Sequence, residues 1–378
     1  VRFSPQQDAA LKAVGDWLKA GSPQIFRLFG YAGTGKTTLA RHIAEDIDGE
    51  VLFAAFTGKA AQVLRSAGAD NARTIHSLIY RPRGEEKVED EEKGTTTISP
   101  MFSLNRSSPA GKAALVIVDE CSMVDEELGR DLLSFGTPLL VLGDPGQLPP
   151  IKANDGGGGF FTEHAPDVLL SEVHRQARDN PIIDLAMRAR AGEPIAHGRY
   201  GSSRVIGKSD IDSETVLAAE QVLVGINRSR RLYNRRIRTL KGFDGLLPAV
   251  GDRLVCLRND TAKGLLNGGQ WRVTSISRKA GAAIHMLVKS EDEGPHGPSA
   301  KIKVLKAAFE RPEEQIPWAV LRRHDAFDYG YALTVHKAQG SQWGDVVLFD
   351  ESYAFREHRQ RWLYTAITRA AETITIVR

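Results

Sequence analysis

The stretch Gly30-Tyr31-Ala32-Gly33-Thr34-Gly35-Lys36-Thr37 fits the pattern G-x-x-x-x-G-K-[ST] at every fixed position. Its setting fits as well. Ile25 to Phe29 is an apolar run of buried-strand length, and Thr38 to Ile47 carries Leu39, Ile43 and Ile47 at helical spacing. A strand, a glycine-rich turn and a helix N-terminus in that order make an anion site. The glycines let backbone N–H groups converge on phosphate oxygens, and the helix dipole favours negative charge there. Lys36 is then placed for the β- and γ-phosphates, and the Thr37 hydroxyl for Mg²⁺. These residues predict an α/β chain that binds a nucleoside triphosphate.

The 378 residues give room for two or more domains. No stretch approaches the ~20 apolar residues of a membrane span, and the N-terminal Arg2, Gln6, Gln7 and Asp8 carry no apolar leader. A cytoplasmic protein without membrane contact is expected. Cys121 and Cys256 lack metal-ligand spacing and are expected to be reduced and buried. Net charge is only +3, so any nucleic-acid contact has to come from local patches.

Other segments carry chemistry in order along the chain. Ser4 and Pro5 predict the cap and first turn of a helix, on which Gln7 is either an adenine-reading amide or a solvated side chain. Val51 to Phe56 is a second strand, followed by Thr57-Gly58-Lys59 and a helix; Thr74-Ile75-His76 comes next. Residues 81–109 break the pattern with an acidic run, Glu85 to Lys93, and read as an insertion with at most a short hairpin. Leu115 to Val118 delivers Asp119 and Glu120 to the end of a buried strand, as a magnesium-holding and a water-activating carboxylate. Leu139 to Asp144 repeats that design ahead of Gln147, and Asp155 to Gly159 reads as a hinge. A second α/β unit is expected from Leu170 to Arg175 onward, with a helix over Pro181 to Arg190 and a strand at Val222 to Val224. Arg228, Arg231, Arg235 and Arg238 then share one helix face, open either to phosphates or to solvent. Val250 to Leu257, Trp271 to Ser277 and Ile284 to Val288 predict short strands of a small β-barrel, before the α/β pattern resumes at Tyr331.

In order and combination, these segments resemble the superfamily 1B DNA helicases of the RecD-like and Dda-like kind. The resemblance implies two RecA-like P-loop NTPase cores with parallel sheets, a short insertion in the first and an SH3-like β-barrel in the second. The implied plan is 1–80 and 110–155 for the first core, 81–109 for a possible strand-separating pin, 160–245 and 331–378 for the second core, and 246–330 for the barrel. It further implies ATP and Mg²⁺ as cofactors. Gln7, Gly30, Gly33, Thr34, Gly35, Lys36, Thr37, Thr38, Gln339 and Gly340 would line the nucleotide, with Thr37 and Asp119 holding the metal. Lys36, Asp119, Glu120, Gln147, Arg175 and Arg369 would carry catalysis, the two arginines as fingers on the transferred phosphoryl. Thr57, Lys59, His76, Thr334 and His336 match positions that touch a bound single strand. Two departures stand out: Gln342 replaces a glutamate near the ribose, and no pin tip is evident. Phe102 is one candidate for that tip, with a buried aromatic the preferred reading.

The implied activity is ATP-driven 5′→3′ translocation on single-stranded DNA, with unwinding at single-strand/duplex junctions by a monomer that resembles a bare motor. An RNA helicase, a translocase without strong unwinding, and a nucleotide-switched binding module are the competing readings. Protein partners and pathway, whether replication, recombination or repair, are not encoded in these motifs.

Overall fold

Continuous runs of β-branched residues and leucine predict strands buried on both faces, and such strands form the centre of the fold. The computed structural model describes residues 3–90, 95–149, 159–172, 180–277, 281–310, 316 and 318–378. Its first sheet runs, from edge to edge, Arg73–Thr74, Val51–Ala55, Leu115–Asp119, Leu139–Gly143, Ile25–Gly30 and Val168–Leu170. The pairings are parallel, with Phe29 opposite Gly143 and Gly30 opposite Leu170. The last of these strands corrects the expected boundary. Val168–Leu170 completes the first sheet rather than opening a second core at 160, and Phe161 is fully buried against the same sheet.

Helices follow their local signals. Pro5–Ala20 starts with a capping box in which Ser4 Oγ accepts from Gln7 N while Gln7 Oε1 accepts from Ser4 N. The phosphate-loop helix is Lys36–Glu45, two residues ahead of the expected span, because the loop winds straight into it through Gly35 at φ 78°. Gly58–Ser66 is capped by Thr57, whose Oγ1 accepts from Ala60 N.

The chain divides into two compact units: Val1–Arg81 with Leu104–Gly207 and Gln339–Arg378, and Pro82–Ser103 with Lys208–Ala338. The first unit also contains the parallel strands Trp343–Phe349, Ala370–Val377 and Ser203–Ile206, with Gly198–Tyr200 antiparallel at their edge. Helices Pro181–Ala191 and Arg359–Ile367 belong to it as well.

In the second unit, Gln221–Val224 pairs in parallel with Ala332–Thr334, and helix Asn227–Leu240 is fastened to that pair by the Asn234 amide, which donates to and accepts from Ala332. The β-region has five antiparallel strands instead of the three read from sequence. Their order is Ser299–Leu305, Ala283–Ser290, Gln270–Ser277, Arg253–Cys256 and Phe327–Tyr329. Its two ends approach: Asp325 N donates to Lys303 O at 2.8 Å, and Lys303 N to Asp325 Oδ2 at 2.7 Å. The 81–109 insertion forms a two-stranded hairpin of Tyr80–Asp90 and Thr95–Leu104, longer than the short hairpin expected. Phe102 sits near its foot and is 53% exposed, against the expected burial. The expected hinge at 155–158 lies outside the described residues.

The arginine face of Asn227–Leu240 also needs correction. Arg228, Arg231 and Arg235 are exposed, but Arg238 is buried and makes a two-pronged pair with Asp252, itself 0% exposed. Its guanidinium also donates to Gly245 O and Leu247 O, so it serves the fold rather than phosphates. Arg238→Met should destabilise the protein by about 3–5 kcal/mol, because it strands the Asp252 carboxylate in the interior. Chemical denaturation of the two proteins checks this, and Arg235→Met, on the open face, should change stability by less than about 0.5 kcal/mol.

Candidate nucleotide and nucleic-acid site

The parallel sheet sends its carboxyl-terminal strand ends, and the residues that follow them, to one edge of the first unit. Gly30 closes the strand Ile25–Gly30 where no side chain fits: a Cβ there would lie 2.6 Å from Thr34 Oγ1 and 2.8 Å from Leu170 Cβ. The loop that follows is internally tied. Thr34 Oγ1 donates to Tyr31 O, and Lys36 Nζ donates to Gly30 O at 2.7 Å and Tyr31 O at 3.1 Å. Gln7 Nε2 donates to Thr34 O at 3.0 Å and the residue is 4% exposed, so this amide is built into the loop and is not solvated. Gly33 and Gly35 take left-handed conformations, and Thr38 is exposed on the first helical turn.

Across the edge, Thr37 Oγ1 donates to Asp119 Oδ2 at 2.9 Å. A hydroxyl and a carboxylate at hydrogen-bond distance are hard oxygen donors, the type that Mg²⁺ takes alongside phosphates and waters. Among the described residues no cluster of three or more His, Cys, Asp or Glu could hold a metal alone. Asp119 and Glu120 both have pKa values raised by burial. For Asp119 the Glu120 N–H, the Lys36 charge and the Thr37 hydroxyl oppose the rise. For Glu120 the charge of Arg369 opposes it first and that of Lys36 more weakly, while Asp119 and Asp144 add to it. Glu120 also sits at φ 53°, ψ 43°, a left-handed conformation that costs a residue with a Cβ roughly 1–2 kcal/mol.

Arg369 is 5% exposed and is aligned by Thr365 O, Ser341 O and Thr368 Oγ1, each 3.1–3.2 Å away. Gln147 is 7% exposed, and its Oε1 is buried and, among the described residues, has no hydrogen-bond partner. The same loop is held by Leu148, whose N donates to Thr365 Oγ1 and whose carbonyl accepts from Gln339 Nε2. Gly340 is left-handed at φ 76° and packs so closely on Thr57 that a Cβ would lie 2.9 Å from Thr57 Oγ1. Gln342 Nε2 donates to Ala370 O at 3.4 Å.

The structure therefore brings Gln7, the phosphate loop, Asp119, Glu120, Gln147, Gln339, Gly340 and Arg369 into one unit. Arg175 lies outside the described residues. Of the positions matched to strand contact, Thr57, Lys59 and His76 lie in the first unit and Thr334 and His336 in the second. Thr57 is a helix cap, as noted above. His76 is flanked by the rings of Phe56 and Tyr80, and desolvation lowers its pKa against the opposing charges of Asp125 and Glu127. It is neutral at pH 7, an aromatic and hydrogen-bonding surface rather than a cation. Sequence reading missed Tyr364: its hydroxyl accepts from Ala32 N at 3.0 Å and donates to the buried Asp144 carboxylate. It missed Arg190 too, although Arg190 ends a segment read as a helix.

Comparison with known proteins comes to the same fold. The AAA-domain family profile matches residues 2–209, and a UvrD-like helicase C-terminal domain matches residues 329–377. The ATP-dependent RecD2 DNA helicase of Deinococcus radiodurans is 30% identical over 361 residues, 91% of this chain and 46% of its own. The chain thus spans less than half the length of that relative. Among solved structures, Pif1 helicase from Candida albicans aligns with TM-score 0.58 and 19% identity over 100% of this chain and 94% of its own. Pif1 helicase from Bacteroides, in complex with ADP-AlF3 and single-stranded DNA, aligns with TM-score 0.58 and 17% identity over 99% and 92%. No described helix is long and apolar enough to cross a membrane.

The raised pKa of Glu120 has a consequence for stability. A buried acid that binds its proton more tightly when folded favours the fold below the ordinary carboxylate value and loses that contribution as pH rises through its raised value. Glu120→Gln is neutral throughout, so it should melt at a higher temperature than the parent at pH 8 without nucleotide. The gain should shrink as pH falls to 5. Thermal melts of both proteins across that range check the sign.

Proposed function

The chain belongs to the AAA-domain family, and from that premise we propose that it is an ATP-dependent DNA helicase motor of the superfamily 1B RecD-like branch. It translocates on single-stranded DNA and opens duplex at single-strand/duplex junctions. The observation that carries the reading is the cluster in which Thr37 meets Asp119 while Glu120 lies in the fields of Arg369 and Lys36. A binding switch has no need of a strained, desolvated carboxylate held beside an aligned arginine.

Each residue then has a task. Backbone N–H groups of Gly33 to Thr37 cradle the phosphates, and Lys36 leaves the Gly30 and Tyr31 carbonyls for the β- and γ-phosphates. Thr37 and Asp119 hold Mg²⁺, which neutralises phosphate charge when bound. Glu120 orients water and accepts its proton; the raised proton affinity suits a base. Gln147 Oε1, buried and without a partner among the described residues, is available to that water or to a hydroxyl on the nucleotide side. Arg369, and Arg175 by resemblance, stabilise charge on the transferred phosphoryl, a role worth ~10³–10⁵ in rate in related NTPases.

Thr57, Lys59, His76, Thr334 and His336 are proposed to follow the strand through sugar, phosphate and base-face contacts, tolerant of sequence. Affinity should fall with salt at a slope of about −0.7 per phosphate neutralised. The five-stranded region of the second unit is proposed as an SH3-like barrel, supported by its antiparallel order and the Asp325–Lys303 closure. The hairpin is proposed as the strand-separating element, and the working form as a monomer.

Strand displacement on two partial DNA duplexes, one with a 5′ and one with a 3′ single-stranded tail, tests the proposal. Opening of the 5′-tailed duplex alone is expected. Opening of only the 3′-tailed one overturns the polarity, and strand-stimulated hydrolysis without opening makes the protein a translocase. A matched RNA duplex opened in preference to DNA makes it an RNA helicase. Glu120→Gln should lower hydrolysis at least 100-fold while nucleotide affinity stays within about threefold of the parent.

A further inference from the structure

Arg190 ends the helix Pro181–Ala191 and reaches the phosphate loop itself. Its guanidinium carbon lies 3.5 Å from the centroid of the Tyr31 ring, stacked on the second residue of the loop. Nη1 is buried and, among the described residues, has no hydrogen-bond partner. Leaving such a donor unmade is costly, the more so for a charged group, so the position is held against a cost. A surface arginine would turn that atom to water.

Its neighbours say which ligand would satisfy it. A Cβ on Gly146 would lie 3.3 Å from Arg190 Cδ, 3.2 Å from Asp144 Oδ1 and 3.1 Å from Tyr364 Cε1, so these three side chains converge on one point. Tyr364 in turn holds Ala32 N of the phosphate loop, and the Asp144 carboxylate is already engaged by Tyr364 and by Gly146 N. Arg190 thus stands beside an acid that is spoken for, against the start of the phosphate loop and next to the loop that carries Gln147. An anion delivered between those two loops is the acceptor the site lacks. A flat cation stacked on an aromatic ring also keeps freedom to slide toward such an anion, since stacking is weakly directional.

We propose that Arg190 is a further phosphate-binding residue, resting on Tyr31 in the nucleotide-free protein and donating through Nη1 to the terminal phosphate of ATP. This rests on the ATPase reading above and adds a cation to Lys36 and Arg369. Its role is specific to the triphosphate: with the terminal phosphate gone, Arg190 returns to Tyr31. The loop that starts the nucleotide site would then carry a record of which nucleotide is bound.

The test is the affinity of Arg190→Met and Arg190→Lys for ADP and for a non-hydrolysable ATP analogue, measured with Mg²⁺ by calorimetry. Hydrolysis by the parent with and without single-stranded DNA is measured beside it. For Arg190→Met, the preference for the analogue over ADP should fall at least tenfold while ADP affinity stays within about threefold. Arg190→Lys should recover part of that preference. An unchanged preference overturns the proposal. So does an equal loss for both nucleotides together with a lowered melting temperature, which would make the stack on Tyr31 a purely structural prop. A parent that binds neither nucleotide or does not hydrolyse ATP sinks the ATPase reading itself, a result separable from any behaviour of the variants.

Discussion

The strand Ile25–Gly30 is hydrogen-bonded in parallel on both sides, and the nucleotide site depends on that double clamp. One ladder sets Phe29 opposite Gly143; the other sets Gly30 opposite Leu170. With register fixed twice, the phosphate loop has one starting height relative to Asp119 and Asp144, which leave neighbouring strands at the same edge. Close packing enforces the arrangement. A Cβ on Gly143 would lie 2.6 Å from Cys121 Sγ, and Cys121 follows directly on Glu120. The carboxylates are therefore placed by the sheet and not by their own loops.

Electrostatics at that edge are a balance of opposed costs. Asp119, Glu120 and Asp144 crowd three carboxyl groups into a region that burial already makes unfavourable for charge. Lys36 and Arg369 offset this only in part, which leaves the two acids of the strand end with raised proton affinity. Hydrogen bonds arrange the rest: Thr37 on Asp119, Tyr364 on Asp144, and backbone carbonyls around Arg369. Such preorganisation is what stabilises a charged transition state without reorganising the protein at the moment of reaction.

Much of this could be read in the sequence because it depends on local chemistry. The glycine pattern with Lys36 and Thr37, the apolar runs before Asp119 and Asp144, and the Ser4-Pro5 cap each need only neighbouring residues for their meaning. What escaped depends on partners far along the chain. Val168–Leu170 is too short to declare which sheet it joins, and only the pairing with Ile25–Gly30 assigns it. Arg238 lies on the same face as three exposed arginines, yet Asp252 pulls it inward. Gln7 could be read as solvated or as a base reader, and burial of its amide against Thr34 O rules out the first. Tyr364 and Arg190 carry no motif of their own and gain meaning only from touching Asp144, Ala32 and Tyr31. Ser299–Leu305 was missed as well, although Ala300, Ile302 and Val304 alternate inward with the period of two that marks a half-buried strand.

The hairpin Tyr80–Asp90 with Thr95–Leu104 interrupts the first sheet in sequence but not in space. Asn105 N donates to Ile79 O at 2.7 Å, so the chain leaves and re-enters the first unit at one point, between the helix Ile75–Ile79 and the strand Leu115–Asp119, and Pro82–Ser103 groups with the other unit. An excursion pinched off at its base behaves as an interchangeable module. Insertions and deletions within it leave the register of the sheet intact, so this part of the chain can change in length without shifting the strand ends that carry Lys36, Asp119 and Asp144.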